Sequence, residues 1–408
     1  MAALLADTLL AGAANNRHGV VLACQTVPIA RADAPGIHHA VVPGSRTDNW
    51  PAAAGGVGRT RASAENAAIG EALERYSAAV CKLEYAGAQG PSIRLEDFAL
   101  FSEQQRSARD FPFHDLYTGV LRFARVHSLR DNAAWWVPAA LVGITDHPAI
   151  STSNGLATAA SPAMALLRGL QELIERDAFM VSWLHSVRGR LVPMDSTYTE
   201  AVSERGGEVK CVDATPAYSP WPVAVVGGNL PYRGRPRYAL GAACRESWAA
   251  AVEKAYLEWA QGTVFVSAYL AAHAGLKYRD ARDVRSFQDH AAYYSVRSDE
   301  WNRVPLFQGA EAPPPADATT DGVWETLRHG VEALHDAGVR VLYRDLTSVD
   351  LRQLGLWTVR VLSPELTPLH FHEPWAFLGG RTADVAWRYP WVDRSRLRFP
   401  NPLPHPLG

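Results

Sequence analysis

The chain is short of lysine, of paired cysteines and of long apolar runs, and each shortage removes a class of function. Its 408 residues include only four lysines, Lys82, Lys210, Lys254 and Lys277, and the formal net charge is −2. That balance builds no basic field of the kind nucleic-acid binders use, so no nucleic-acid partner is expected. The cysteines, Cys24, Cys81, Cys211 and Cys244, are widely spaced and include no C-x-x-C pair, so no structural zinc site is expected either. No apolar run reaches the roughly 18 residues of a membrane span. The N-terminal stretch MAALLADTLLAGAANN carries Asp7 in a short apolar run and lacks a basic n-region, so it does not read as a signal peptide. A cytoplasmic protein with reduced thiols and no membrane contact is the resulting expectation.

What remains is the composition of a globular chain with a substantial core: 48% hydrophobic and 20% charged residues. HGVVLAC, from His18 to Cys24, is strand-like, and a Pro, Gly, Asn and Asp cluster follows between Pro43 and Gly58. Apolar periodicity predicts a helix from Ser63, taken as its N-cap, a second beginning after Pro162 and a third from Glu246. Residues 133 to 144 suggest a strand pair about Pro138, and VRVLYRDLT and LWTVRVLSP read as strands. VEALHDAG reads as a helix stopped at Gly338. Helices and strands intermix throughout, which predicts an α/β or α+β fold in one large domain spanning 1–408. Within it we distinguish a core at 15–310, an exposed linker at 311–321 and a C-terminal part at 322–408.

One pattern repeats. GEALERYSAAV, from Gly70, resembles QELIERDAFMV, from Gln171, and both carry Glu-x-x-Glu-Arg. A weaker third copy runs from Glu253 to Gln261, with Gln261 where a second Glu would stand. The copies are too few and too far apart for a solenoid, so helical units duplicated within one domain fit better. Residues three apart share a helix face, so Glu71 and Glu74 point together, as do Glu172 and Glu175. A single such motif is ordinarily a solvated face with local ion pairs. Two copies set among apolar neighbours (Ile69, Leu73; Leu170, Leu173, Ile174) are different, because burying unpaired carboxylates is expensive and paired ones repel. Magnesium, a hard cation that bridges carboxylates to phosphate oxygens, suits the arrangement, with Arg75 and Arg176 placed to clamp carboxylates or phosphates. The Ser153–Asn154–Gly155 turn before the second helix offers backbone N–H groups that could face an anion.

These strings, with five motifs in order, resemble the YcaO family over essentially the whole chain. SNGLATAASPAMALLRGLQELIERDAFMVSW is similar to the family's central signature, and GGVGRTRASAENAAIGEALERYSA to its earlier motif. The likeness continues through GAACRESWAAAVEKAYLEWAQG, FQDHAAYY and YRDLTSVDLRQLGLWTVRVLSPELTPLHF. The ending NPLPHPLG, with Pro402, Pro404 and Pro406, resembles the azoline-forming subgroup. The resemblance implies a YcaO-like domain of duplicated helix-bearing units packed on β-sheets. It also implies ATP bound through Mg2+ and used to form thiazoline or oxazoline rings in a ribosomal precursor peptide. By the same resemblance Glu71, Glu74, Glu172 and Glu175 are metal and nucleotide ligands, oriented by Arg75 and Arg176, with Ser153 and Asn154 on the nucleotide side. Arg360 is implied to lie near the phosphates. The proline tail ending at Gly408 is implied to sit by the active site and to assist proton transfer. A homodimer is implied too. No region resembles a leader-binding module or the ubiquitin-activating-enzyme-like partner, so a separate delivery protein is expected. A flavin dehydrogenase would join where the rings are oxidised.

Three positions depart from the pattern. Met164 stands where the family carries a Glu, Ala159 where a Gly is expected, and Val57 where a Lys often separates the glycines. Two other readings therefore stand beside cyclodehydration. One is thioamide or amidine formation by the same amide activation; the other is a non-catalytic YcaO-like scaffold.

Overall fold

The chain is described by a computed structural model at residues 9–17, 19–43, 54–83, 85–86, 90–119, 122–144, 147, 149–318 and 322–408. The readings on Asp7, His18 and the end of the 311–321 stretch lie outside those residues, as does most of the Pro43–Gly58 cluster.

Three antiparallel sheets carry the long helices. The first joins β1 (Gln25–Val27), β2 (His38–Val42) and β3 (Ala54–Gly58) in that order. The second, six-stranded, holds β4 (Tyr85–Ala86), β5 (Phe123–Ser128) and β6 (Ala134–Pro138), then β7 (Leu156–Ala159). Its order is completed by β12 (Leu342–Asp345) and β13 (Trp357–Leu362), with β13 between β12 and β7. The third runs β11 (Tyr238–Cys244), β10 (Val223–Asn229), β9 (Glu208–Asp213), β8 (Arg190–Val192). The mixture is therefore α+β rather than a parallel α/β weave.

Three helices matter to the site: α1 (Arg61–Val80), α2 (Pro162–Leu184) and α4 (Trp248–Ala272), with the short α3 (Ser196–Ser203) between the last two. Each starts on a hydroxyl cap. Thr60, not Ser63, caps α1, and Ser63 serves as the reciprocal partner, each side chain accepting from the other's backbone N–H. Ser161 caps α2 with Pro162 in the first turn, where the missing N–H costs nothing. Ser247 caps α4. The helix α6 (Val323–Asp336) ends near Gly338, whose φ of +76° provides the left-handed residue expected there; α5 (Phe287–Val296) lies between α4 and α6.

Helix α1 lies on β2, β3 and β7, α2 on β13, β7 and β11, and α4 on β11, β10 and β3. The glycines of β3 set the first of these approaches. A Cβ at Gly56 would fall 2.1 Å from the Ala64 carbonyl oxygen, so no larger residue lets α1 lie this close.

Two strand readings are corrected. His18–Cys24 forms no strand: among its described residues Val21 makes only an isolated bridge to Ala14, and the regular strand begins at Gln25. Residues 133–144 give one strand, β6, because after Pro138 the chain turns into a 3-10 segment at Ala139–Leu141 instead of returning. The stretch read as a linker from 311 is tied down where it is described. Ala312 N donates to Leu191 O at 2.8 Å, Asp317 accepts from Trp248 N at 2.7 Å, and Ala318 N donates to Glu246 O at 3.0 Å. The PLPHP tail is not frayed: Leu403 to Leu407 are buried. Among the described residues no helix is long and apolar enough to cross a membrane.

Candidate functional site

The Glu-x-x-Glu faces of α1 and α2 meet where their sheets adjoin. From α1, Glu71 accepts from Gly55 N of β3 at 2.7 Å and pairs with Arg75 at 2.5 Å. Glu74 accepts from Thr158 N of β7 at 2.9 Å. From α2, Glu172 lies 3.7 Å from Arg176 Nε and Glu175 lies 3.5 Å from it. Glu175 is buried, and its remaining contact is a long hydrogen bond, 3.4 Å, from Cys244 N of β11. All four sequence-assigned carboxylates and both arginines thus share one site.

A fifth carboxylate, Glu258 of α4, completes it. Glu258 faces Glu172, Glu175 and Arg176 closely enough to perturb them, while pairing with Lys254 at 3.0 Å. The weak third repeat therefore does contribute an acid, but not through the residue singled out for comparison. Its Glu253 is taken by Arg59, at 2.7 and 2.8 Å, and by the Tyr198 hydroxyl. Gln261 instead lies against β3, its Nε2 2.5 Å from where a Cβ on Gly55 would stand. The signal was present in LEWAQ: Glu258 lies on the same helix face as Gln261, three residues earlier.

Electrostatically the site is short of cations. Burial pushes the Glu74 carboxyl well above its usual range, and the Glu172 charge adds to the shift. Glu172 is likewise raised, by burial first, against the pull of Arg176 and Arg360. Burial and then Glu258 push Glu175 up to about 8. Arg176 is held firmly charged: burial opposes its cationic form, but Glu175, Glu172, Glu258 and Glu71 together outweigh that. Its Nε makes no hydrogen bond.

The Ser153–Asn154–Gly155 turn forms one wall, with Ser153 exposed and Asn154 buried. Gly155 has φ +76°, and a Cβ there would sit 2.2 Å from the Val361 carbonyl oxygen. Its N–H is directed at the Glu172 carboxylate, and Asn154 N reaches Thr152 Oγ1 at 3.4 Å. These amides already have protein acceptors, so the turn is not the open anion cradle that its sequence suggested.

Arg360 lies beneath that turn, 1% exposed. It donates to four backbone carbonyls: Val142 at 3.1 Å, Asn154 at 2.5 Å, Gly143 at 3.3 Å and Thr152 at 2.7 Å. Its guanidinium binds the loop and adds positive potential beside Glu172, while burial lowers its own affinity for a proton to about 10. At the tail, Gly408 packs on α5, where a Cβ would approach Ala291 Cβ to 2.5 Å. His405 of the tail lies within electrostatic reach of Arg176 and meets the Phe179 ring, one helical turn past Arg176.

Carboxylates held above their normal range by burial and mutual repulsion are what a divalent cation relieves, and an all-oxygen ligand set on rigid helices fits Mg2+. The comparisons agree. Residues 55–367 match the family model described as YcaO cyclodehydratase, ATP- and Mg2+-binding. The chain belongs to the YcaO cyclodehydratase family, a family of ATP-dependent enzymes whose cofactors are ATP and Mg2+. Among solved structures it is similar to a "Heterocyclase in complex with substrate and Cofactor", with TM-score 0.73 and 19% identity over 98% of this chain and 57% of that one. It is similar to YcaO from Methanopyrus kandleri bound with AMPPCP and Mg2+, with TM-score 0.62 and 20% identity over 88% of each chain. It is also similar to a chain of the E. coli microcin synthetase McbBCD complex, with TM-score 0.58, 15% identity, and 86% and 90% coverage. At these identities the likeness is one of fold. No curated protein sequence matches significantly.

Proposed function

We propose that the chain is an azoline-forming cyclodehydratase acting on Cys, Ser or Thr residues of a ribosomal precursor peptide. The observation that carries this reading is the five-carboxylate, cation-poor cleft that α1, α2 and α4 build together. Glu71, Glu74, Glu172, Glu175 and Glu258 would hold Mg2+, which supplies charge neutralisation for nucleotide phosphates when bound. Arg176, whose Nε is ion-paired to Glu172 and Glu175 but makes no hydrogen bond, would add hydrogen bonds to a phosphate oxygen. Arg360 would act as a positioning residue by holding Val142 and Gly143 against Thr152 and Asn154 of the wall.

In the reaction a side-chain thiol or hydroxyl adds to the preceding carbonyl carbon and gives up its own proton to solvent or a base. The tetrahedral oxygen takes a phosphoryl group from ATP, leaving ADP. The C–O bond then breaks, releasing phosphate, and the amide N–H proton is lost as the C=N bond forms. The peptide ends one water lighter, with that oxygen in phosphate. The tail's nearness to Arg176, through His405, supports the azoline subgroup over thioamide chemistry. We propose further that a separate protein presents the precursor, as the named subunits of the microcin synthetase complex suggest, and that the chain works as a homodimer.

The test is peptide mass after incubation of the full chain with its delivery partner, precursor peptide, ATP and Mg2+. A loss of about 18 Da per ring, one water, supports cyclodehydration, and chemical labelling showing that a Cys thiol or a Ser or Thr hydroxyl has been consumed separates the azoline from an internal amidine of the same mass. Replacement of oxygen by sulfur points to thioamidation. Unchanged mass together with no ATP binding by calorimetry returns the chain to the scaffold reading that Met164 and Val57 motivated.

A further inference from the structure

A second cluster of potential ligands, sharing no residue with the acidic cleft, lies where the tail enters the core. The tail is threaded by hydrogen bonds to two helices. Trp183 Nε1 of α2 donates to Leu403 O at 2.9 Å, Asn401 Nδ2 donates to Trp183 O at 3.0 Å, and the Tyr294 hydroxyl of α5 donates to Pro404 O at 2.8 Å. This threading buries His405 completely. Around it stand His290 of α5, His370 and Glu373. One ligand atom from each of the four residues lies within 4.8 Å of the other three.

The hydrogen bonds select the tautomers. His290 Nδ1 is 2.8 Å from His405 O, and His405 Nε2 is 2.9 Å from His370 O. A carbonyl only accepts, so those two nitrogens carry the hydrogens. The opposite nitrogens, His290 Nε2 and His405 Nδ1, are left with lone pairs, and neither has a hydrogen-bond partner. His370 Nδ1 is also unpartnered, while its Nε2 lies 3.1 Å from Glu373 Oε2, which is 3.9 Å from His290 Nε2. Buried polar atoms without partners are costly and uncommon, and three here belong to one cluster. A backbone carbonyl behind a ligating imidazole is the usual outer support of a metal-bound histidine, and His290 and His405 each have one. A plain packing role would leave these lone pairs, and the side chain of Glu373 (10% exposed), without a complementary charge.

We propose that His290, His370, Glu373 and His405 form a site for a borderline divalent metal of the Zn2+ type. Three imidazoles and one carboxylate select such an ion over Mg2+, which prefers oxygen. Tetrahedral ligands about 2.0–2.1 Å from zinc stand roughly 3.4 Å apart, so binding draws the four groups inward and must also turn the His290 and His405 rings out of their present stack, 3.7 Å between centroids and 4° between planes. The metal clips the tail to α5 and to the 370–373 segment, directly beside Phe179 of α2. The cysteine count could not show such a site, because no thiolate takes part.

The experiment uses the full chain, stripped with chelator and then dialysed against Zn2+ or Co2+ alone. One equivalent of zinc per chain is expected, with the visible ligand-field bands of tetrahedral cobalt in the Co2+ form. Both are expected in Glu172→Gln and Glu175→Gln, which separates this site from the acidic cleft. Zinc content is expected to fall below about a tenth in His290→Gln and His405→Gln, in line with the loss of a ligand. Absence of the cobalt bands in the folded native chain would overturn the proposal, and so would unchanged zinc content in both histidine variants. The native-chain spectrum decides the matter even if a variant fails to fold.

Discussion

Glu175 and Asp177 are separated by one residue on α2, and both are buried, yet their surroundings differ in kind. Asp177 accepts four hydrogen bonds of ordinary length: from Arg388 at 2.6 and 2.9 Å, from the Tyr218 hydroxyl at 2.6 Å and from Thr367 N at 2.7 Å. Glu175 has one long backbone hydrogen bond, an arginine it shares with Glu172, and a second acid, Glu258, facing it. One carboxylate is finished by protein; the other is left for something else to finish. The sequence motif Glu-Arg-Asp holds both, so motif membership alone does not reveal which acid binds a ligand. The surroundings do.

The sharpest way to break this comparison is to neutralise each acid in turn. Glu175→Gln is expected to weaken Mg2+-dependent ATP binding on the order of 100-fold by calorimetry, while leaving the ligand-free fold as stable or more so. If nucleotide affinity is unchanged, Glu175 is not a metal ligand. Arg388→Ala strands Asp177 without its counter-ion and is expected to cost about 3–5 kcal/mol in denaturant unfolding. A loss under about 1 kcal/mol would mean that Asp177 is not tied to the fold as described.

Acidity gives a third handle. The folded Glu175 carboxyl is raised to about 8 from an ordinary value of 4.5, so the folded state binds the extra proton between those limits. Stability without ligand is therefore fully present below about 4.5 and is lost as pH rises toward 8. Melting curves across that window should show the slope in the native chain and a flatter one in Glu175→Gln. Equal slopes would refute the assignment. The smallest effect is expected on the surface. Arg59→Ala removes the pair with Glu253, which lies outside the cleft, and should change stability by under about 1 kcal/mol without altering nucleotide affinity.

Spacing made part of this site legible. Glu71 with Glu74, and Glu172 with Glu175, share faces because three residues make almost one helical turn, and the apolar neighbours announced burial. Glu258 occupies the first Glu position of the third copy once Gln261 is aligned with the second, but the Gln and the missing Arg make that copy look incomplete and hide the acid. The strand misreadings have similar local causes. Val20, Val21 and Leu22 look strand-like but have no adjacent partner strand, and Pro138 ends β6 where a hairpin return was expected. Arg360 could be placed near the site by its strand, but its four carbonyl acceptors belong to a loop more than 200 residues earlier. Of His290, His370, Glu373 and His405 only His370 and Glu373 are close in sequence, three residues apart, and the tail's threading gathers the rest.

The carboxylates proposed as ligands run from residue 71 to residue 258, on three helices seated on different sheets. No fragment holding one helix can offer more than two of the five carboxylates. Metal and nucleotide bound by these residues would therefore recognise only a chain whose sheets have all assembled, and by mass action would favour that state. At a hundred times its dissociation constant, a ligand of this kind adds about 2.7 kcal/mol to the folded form. The same acids that weaken the empty protein would thus couple its folding equilibrium to the nucleotide supply.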